Sequence, residues 1–343
     1  MRMQRLTIGY LVCAVFGDTN LNTEASPSPK GLSVTVHWSA GPPLPVPRAG
    51  HAAGVLDGEF VVAGGTNWQA DRKLWLADVY LYSASAAVWS RARDLPGPRA
   101  YGASFVAGGT FYVAGGTDGE GNLSDVLALR SRAGFWESNA LPALPEPRVH
   151  AAGAVLDSVL YLIGGTADVN NLSAATTTLL RLDLGQRDRT WRYGTPLPGP
   201  ARTISAAAGC EDAVYVFGGY RIDSGETGEN LADAYRYSPV RDEWTRIRDL
   251  PQPVRGHSVI AVSNRSILLL GGYSTAANGS ALSSSVLVYD TRHDSYSTLA
   301  QMPLHVMGAG AHLAGNTLFL AGGEDGARHR SAGLVIGVLG RTY

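Results

Sequence analysis

The stretch GGEDGARHRS, residues 322–331, holds a carboxylate and a guanidinium six positions apart: Glu324 directly after a glycine pair, and Arg330 near the end of the same loop. A carboxylate so placed is a candidate general base, or an ion-pair partner for cations beside it. Its setting singles it out. Glycine pairs recur at 64/65, 115/116, 164/165, 218/219, 271/272 and 322/323, and the residues that follow them are Thr66, Thr117, Thr166, Tyr220, Tyr273 and Glu324, so five copies are neutral and one is acidic.

A second recurrence supplies cations. The loops PVPRAGHA, PGPRAYGA, PEPRVHAA, PGPARTIS, PQPVRGHS and MPLHVMGA carry Arg48, Arg99, Arg148, Arg202 and Arg255, with His305 in the sixth slot. If these loops open on the face that carries Glu324, their guanidinium groups ring one mouth, which suits a carboxylate or phosphate ligand. An arginine after proline can instead tie backbone to a neighbouring repeat. His51, His150 and His257 follow their arginines by two or three residues, where imidazoles serve as hydrogen-bond fillers at a strand start or, as read here for His257, as ligand contacts.

The elements that must position these residues follow from the same repeat. The glycine pairs lie 51, 49, 54, 53 and 51 residues apart, six copies of a unit with the period of a β-propeller blade. Two strand-like runs precede each pair, as in HAAGVL and EFVVAGG. A third follows, such as DVYLYS or DAYRYS, and a fourth opens on an aromatic at Trp89, Trp136, Trp191, Trp244 and Tyr296. Each unit therefore reads as a four-stranded antiparallel blade, in which the loop entering strand one and the loop leaving strand two open on the same face. The sixth unit supplies only AHLAGN, TLFLAGG and GLVIGVL. Residues 33–45, SVTVHWSAGPPLP, have the tryptophan and proline-rich exit of a fourth strand, so Trp38 is expected to complete the sixth blade and close the ring. The predicted fold is all-β, a six-bladed propeller over residues 31–343.

Ahead of it, Arg2, Arg5 and the apolar run from Leu6 to Phe16 read as a secretory signal over residues 1–17, with a polar linker at 18–30. The apolar run is about half the ~20 residues a membrane span needs, so the expected location is periplasmic or secreted. With 28 basic against 29 acidic residues, no global field draws the chain to nucleic acid or an anionic membrane. Removing the leader takes Cys13 and leaves Cys210 alone, which excludes an internal disulfide or a cysteine metal site. No zinc motif, phosphate-binding loop or nucleophile elbow is present, and neither metal nor cofactor is expected.

The period, the glycine pairs and the spaced tryptophans make the chain resemble the kelch repeat family. More narrowly, GGEDGARHRS, RAYGAS at 99–104, LPALPEPRVHAAGAVLDSVLYLIGG and NLADAYRYSPVRDEWTRIRDLPQPVRGHS resemble the bacterial N-acetylneuraminate epimerases, or sialic acid mutarotases. The likeness is closer to their cyclically permuted branch, in which the glutamate-bearing blade is last. This resemblance implies an isomerase that interconverts the α and β anomers of N-acetylneuraminate or a related anionic sugar, with Glu324 and Arg330 catalytic. The rim residues Arg48, Arg99, Arg148, Arg202, Arg255, His257 and His305 would hold the substrate. The chain departs from those epimerases in a compact first-blade loop, TNWQADRKLW, where they carry a longer insertion. Kelch propellers serve as enzymes and as adaptors alike, so the alternative is a non-enzymatic module gripping an acidic peptide or glycan through the arginines.

Overall fold

The computed structural model describes residues 33–130, 137–138, 141–223 and 227–342. The leader and linker expected at 1–30 lie outside the described residues, as does Trp136. Among the described residues are six four-stranded antiparallel sheets. Blade one is built from Ala52–Leu56, Glu59–Ala63, Val79–Ser83 and Val88–Arg91, in that order from the axis outward. The innermost strands of the next five blades are Ala103–Ala107, Ala152–Leu156, Ala206–Cys210, Ser258–Ser263 and Gly310–Ala314. Small residues dominate them because six strands converge on one axis. Second strands such as EFVVA are buried over nearly their full length, since each blade is sandwiched between two others.

The ring closes through the amino-terminal strand. Ser33–Ala40 pairs with Leu334–Thr342 from Ser33 opposite Thr342 to Ala40 opposite Val335, completing the sixth sheet. Val34 and Val36 are buried there in a cluster with Leu268, Val288 and Leu339 of blades five and six. A repeated latch confirms the assignment. In four other blades the fourth-strand aromatic donates a hydrogen bond to a carbonyl at the exit of the preceding blade: Trp89 to Pro42, Trp191 to Pro142, Trp244 to Thr195, and the Tyr296 hydroxyl to Arg248. Trp38 does the same toward Ala300 of blade five, at 3.1 Å. Closure thus satisfies a sheet edge that would otherwise be open.

The glycine pairs end the second strands where blades meet. Gly64 has φ of 66°, and a Cβ there would lie 2.2 Å from the Arg99 carbonyl oxygen. Beyond the pairs, short antiparallel ribbons rise on one face: Thr66–Gln69 with Arg72–Trp75, Tyr273–Ala276 with Gly279–Leu282, and Glu324–Gly326 with His329–Arg330. These ribbons carry most of the polar chemistry of that face.

Candidate functional site

A backbone collar frames the axial mouth. The residue entering each first strand is Gly50, Tyr101, His150, Ile204, Gly256 or Gly308, and all six have φ between 55° and 64°. Each amide donates to the carbonyl of its counterpart in the preceding blade: Tyr101 to Gly50, His150 to Tyr101, Ile204 to His150, Gly256 to Ile204, Gly308 to Gly256, and Gly50 back to Gly308, all at 2.7–3.0 Å. The left-handed region is uncommon for non-glycine residues and especially for a β-branched one such as Ile204, so the closed hydrogen-bond ring holds a conformation that the residues alone disfavour. Below and within the collar lies a cavity of about 540 Å³ whose wall combines small inner-strand residues with His51, Tyr101, His150, His257, His312 and Glu324. Among the described residues, Glu324 is the only acidic one on that wall.

The expected ring of arginines at this mouth is corrected. Arg48, Arg99, Arg148 and Arg202, each two residues before its collar residue, are 0%, 7%, 2% and 0% exposed and line none of the cavity. They rivet blade to blade. The Arg48 carbonyl accepts from Gly323 of blade six, while its guanidinium reaches the Gly64 carbonyl at 2.9 Å and Asp78 at 2.6 Å in blade one. Arg99 likewise binds Gly115 and Asp125, and Arg202 binds Gly218 and both oxygens of Asp233. In blade three the corresponding carboxylate is replaced by Thr178, and Arg148 turns to Glu146 instead. A buried guanidinium needs such partners, so these side chains fold inward rather than toward a ligand.

Arg255 and His305 differ for a reason of register. Val254 and Val306 occupy the rivet slot of blades five and six, which puts Arg255 one residue later, opposite Tyr273. There its guanidinium lies 4.4 Å from the Tyr220 ring centroid and 4.7 Å from that of Tyr273, and donates to Asn230 Oδ1. His305 falls one residue before the rivet slot and is exposed. Neither lines the cavity. His257 does, buried with both ring nitrogens lacking a hydrogen-bond partner among the described residues, as is also true of His51.

Structure does bring Glu324 and Arg330 together. Glu324 is locked at the mouth by paired backbone bonds with Met307, at 2.7 and 3.1 Å, and faces Arg330 across its ribbon. Arg330 Nη2 lies 3.0 Å from Glu324 Oε1, with the arginine side chain 4% exposed and the glutamate 26%. The guanidinium therefore orients the carboxylate, and its charge is already matched. Next to this ribbon, Arg328 meets Asp71 at 2.7 Å and lies over Trp68, joining blade six to the compact loop of blade one.

That compact loop contributes residues that sequence reasoning did not single out. Lys73 Nζ lies 4.4 Å from the Trp75 ring centroid and 4.9 Å from that of Tyr101. Trp75 meets Tyr101 edge-on at 5.9 Å, and His150 packs on Tyr101 at 4.4 Å. Tyr101 lies over Gly50, where a Cβ would come within 2.3 Å of the ring. The available signal was the collar slot, which reads Gly, Tyr, His, Ile, Gly, Gly: a position that is glycine in half the copies marks a left-handed backbone, and a large residue there stands out. Burial and then Lys73 lower the His150 pKa to about 4; burial lowers His257 to about 4, and burial followed by Arg48 lowers His51 to about 3. All three imidazoles are neutral at pH 7. Cys210 is no nucleophile: it is buried, and its thiol is pushed up to about 11 by burial and by the neighbouring Glu211 and Asp212.

A closed ring of six four-stranded sheets, five of them with a described latch, defines a kelch-repeat β-propeller. The chain matches the N-acetylneuraminate epimerase family over residues 141–284 and the KLHDC2/KLHL20/DRC7 Kelch-repeats domain over residues 33–199. It is 30% identical over 100 residues to the N-acetylneuraminate epimerase of Salmonella enteritidis PT4, a stretch that covers 29% of this chain and only 26% of that relative. Alpha-scruin of Limulus polyphemus is 32% identical over 139 residues, 40% of this chain and 14% of that protein. The solved structure of YjhT superposes with a TM-score of 0.64 at 17% identity, covering 74% of this chain and 84% of that one, which speaks to the fold alone. The match to the epimerase family ends at residue 284, before Glu324 and Arg330.

Proposed function

We propose that the protein is a sugar-acid mutarotase that interconverts the α and β anomers of N-acetylneuraminate or a closely related anionic sugar. The observation that carries this reading is Glu324, the one acid on the cavity wall among the described residues, held by Arg330 at 3.0 Å with part of its carboxylate exposed. The similarity to N-acetylneuraminate epimerases supports the choice of substrate class. In the proposed reaction Glu324 accepts the proton of the anomeric hydroxyl while the bond between the anomeric carbon and the ring oxygen breaks and the ring oxygen takes a proton from solvent. The open keto form then rotates and closes on its other face, returning both protons. Nothing is oxidised or reduced, and the residues need only position, accept and return a proton. With the leader expected at 1–17, we place this reaction outside the cytoplasm.

Gripping an acidic peptide or glycan through an arginine-lined mouth loses its basis, because four of the five guanidinium groups are spent inside the ring. The test is saturation transfer between the two anomers of N-acetylneuraminate, followed by NMR with and without the protein. Faster exchange than in buffer supports the reading; an unchanged rate refutes it.

A further inference from the structure

We propose that Lys73 anchors the carboxylate of the sugar, a specificity contact that rests on the mutarotase reading. The argument starts from how the cations of this face are used. Arg330 is matched by Glu324, Arg328 by Asp71, and Arg221 by Asp223 and Glu229. The four rivet arginines are matched inside the ring. The Glu324–Arg330 pair is therefore neutral as a unit and offers an incoming anion no net attraction. A second cation is required, one without a carboxylate partner and lying beside the cavity.

Lys73 meets both conditions: it does not line the cavity itself, but it rests on a residue that does. Its ammonium is held against Tyr101, a residue of the cavity wall, and against Trp75, and no carboxylate lies within ion-pair distance of it among the described residues. Two ring faces fix the position of the ammonium through the attraction of a cation to aromatic electrons, yet they accept no hydrogen bond of the ordinary kind, so its three donors stay available. A carboxylate placed there gains a charge-assisted bond beside apolar surface that sheds water. Arg255 also lacks a carboxylate, but its rings, Tyr220 and Tyr273, are not part of the wall. The stack that runs from Lys73 through Tyr101 to His150 continues along the wall that Glu324 shares, and it presents an aromatic face against which a sugar ring can lie. The neutral His150 at the end of that stack adds no competing charge.

The experiment compares wild type, Lys73→Met, which keeps the apolar stem, and Lys73→Arg, which keeps the charge, on N-acetylneuraminate and on its uncharged methyl ester. The expected result on the acid is a KM raised about 10- to 100-fold in Lys73→Met, with kcat changing much less, and recovery of most of that loss in Lys73→Arg. On the ester, wild type and Lys73→Met should have equal KM values. An unchanged KM on the acid, or the same loss on acid and ester, overturns the anchor while leaving the mutarotase reading in place. Calorimetric titration of the acid separates the two ideas further. If wild type binds the acid in a Lys73-dependent way without exchanging anomers, the anchor holds and the mutarotase reading falls; if wild type neither exchanges nor binds it, both fall.

Discussion

Replacing Arg202 by methionine removes a fully buried guanidinium that bonds the Gly218 carbonyl at 3.0 Å, the Pro200 carbonyl at 3.1 Å and the two oxygens of Asp233 at 2.8 and 2.7 Å. Asp233 would keep the Tyr235 hydroxyl at 2.9 Å but lose its counter-charge while only 11% exposed. Removing one partner of a buried pair costs about 3–5 kcal/mol, since the other charge is left desolvated. At roughly 2.1 cal/mol/K per residue, the unfolding entropy of a chain this size is about 0.7 kcal/mol/K, so the melting temperature should fall by about 4–7 °C. Thermal unfolding followed by circular dichroism measures this. The double variant Arg202→Met/Asp233→Leu should recover much of the loss, because an apolar pair needs no compensation. Arg91→Met, at the exposed pair Arg91–Asp94, should cause no measurable shift. The rivet assignment is refuted if Arg202→Met melts like wild type yet loses affinity for the anionic sugar, for the guanidinium would then belong to the ligand.

Glu324→Gln preserves an acceptor for Arg330 and should leave the melting temperature nearly unchanged while slowing anomer exchange by roughly 10²-fold or more; equal exchange rates would move the reading to a binding module. Deleting residues 1–40 strips the strand paired with Leu334–Thr342 and the buried Val34 and Val36, so the variant should lose cooperative unfolding and associate through its open edge, as sedimentation would show. The buried imidazoles set a pH dependence: His51, lowered to about 3, and His257, lowered to about 4, are protonated in the unfolded chain before the folded one. The stability they contribute is present above pH 6.5 and is lost as pH falls toward 4. The urea midpoint should therefore drop between pH 7 and pH 5, and His257→Leu should flatten part of that slope; equal slopes in the two proteins would contradict it.

The sequence by itself determined the architecture, because each blade is a local unit and its signals are local. A glycine pair marks each crowded turn, an aromatic opens each fourth strand, and the spacing counts six blades. Even the closing strand was legible, since Trp38 carries the same latch signature as Trp89 and Trp244, and a ring with three strands in its last blade must take the fourth from elsewhere. Glu324 was legible too, as the one departure from a neutral slot, and its partner Arg330 lies in the same loop. The direction of the arginines was not. Arg48 and Arg255 look alike in PVPRAGHA and PQPVRGHS, but an offset of one residue from the collar turns the first toward Asp78 inside the ring and the second toward Tyr220 and Tyr273 on its surface. In an antiparallel pair, a shift of one position reverses the face a side chain takes. The cluster of Lys73, Trp75, Tyr101 and His150 was hidden for a different reason: its members come from the loops of three successive blades. Packing of successive blades brings those loops to one mouth, and the contacts among them depend on tertiary distance rather than on any spacing along the chain.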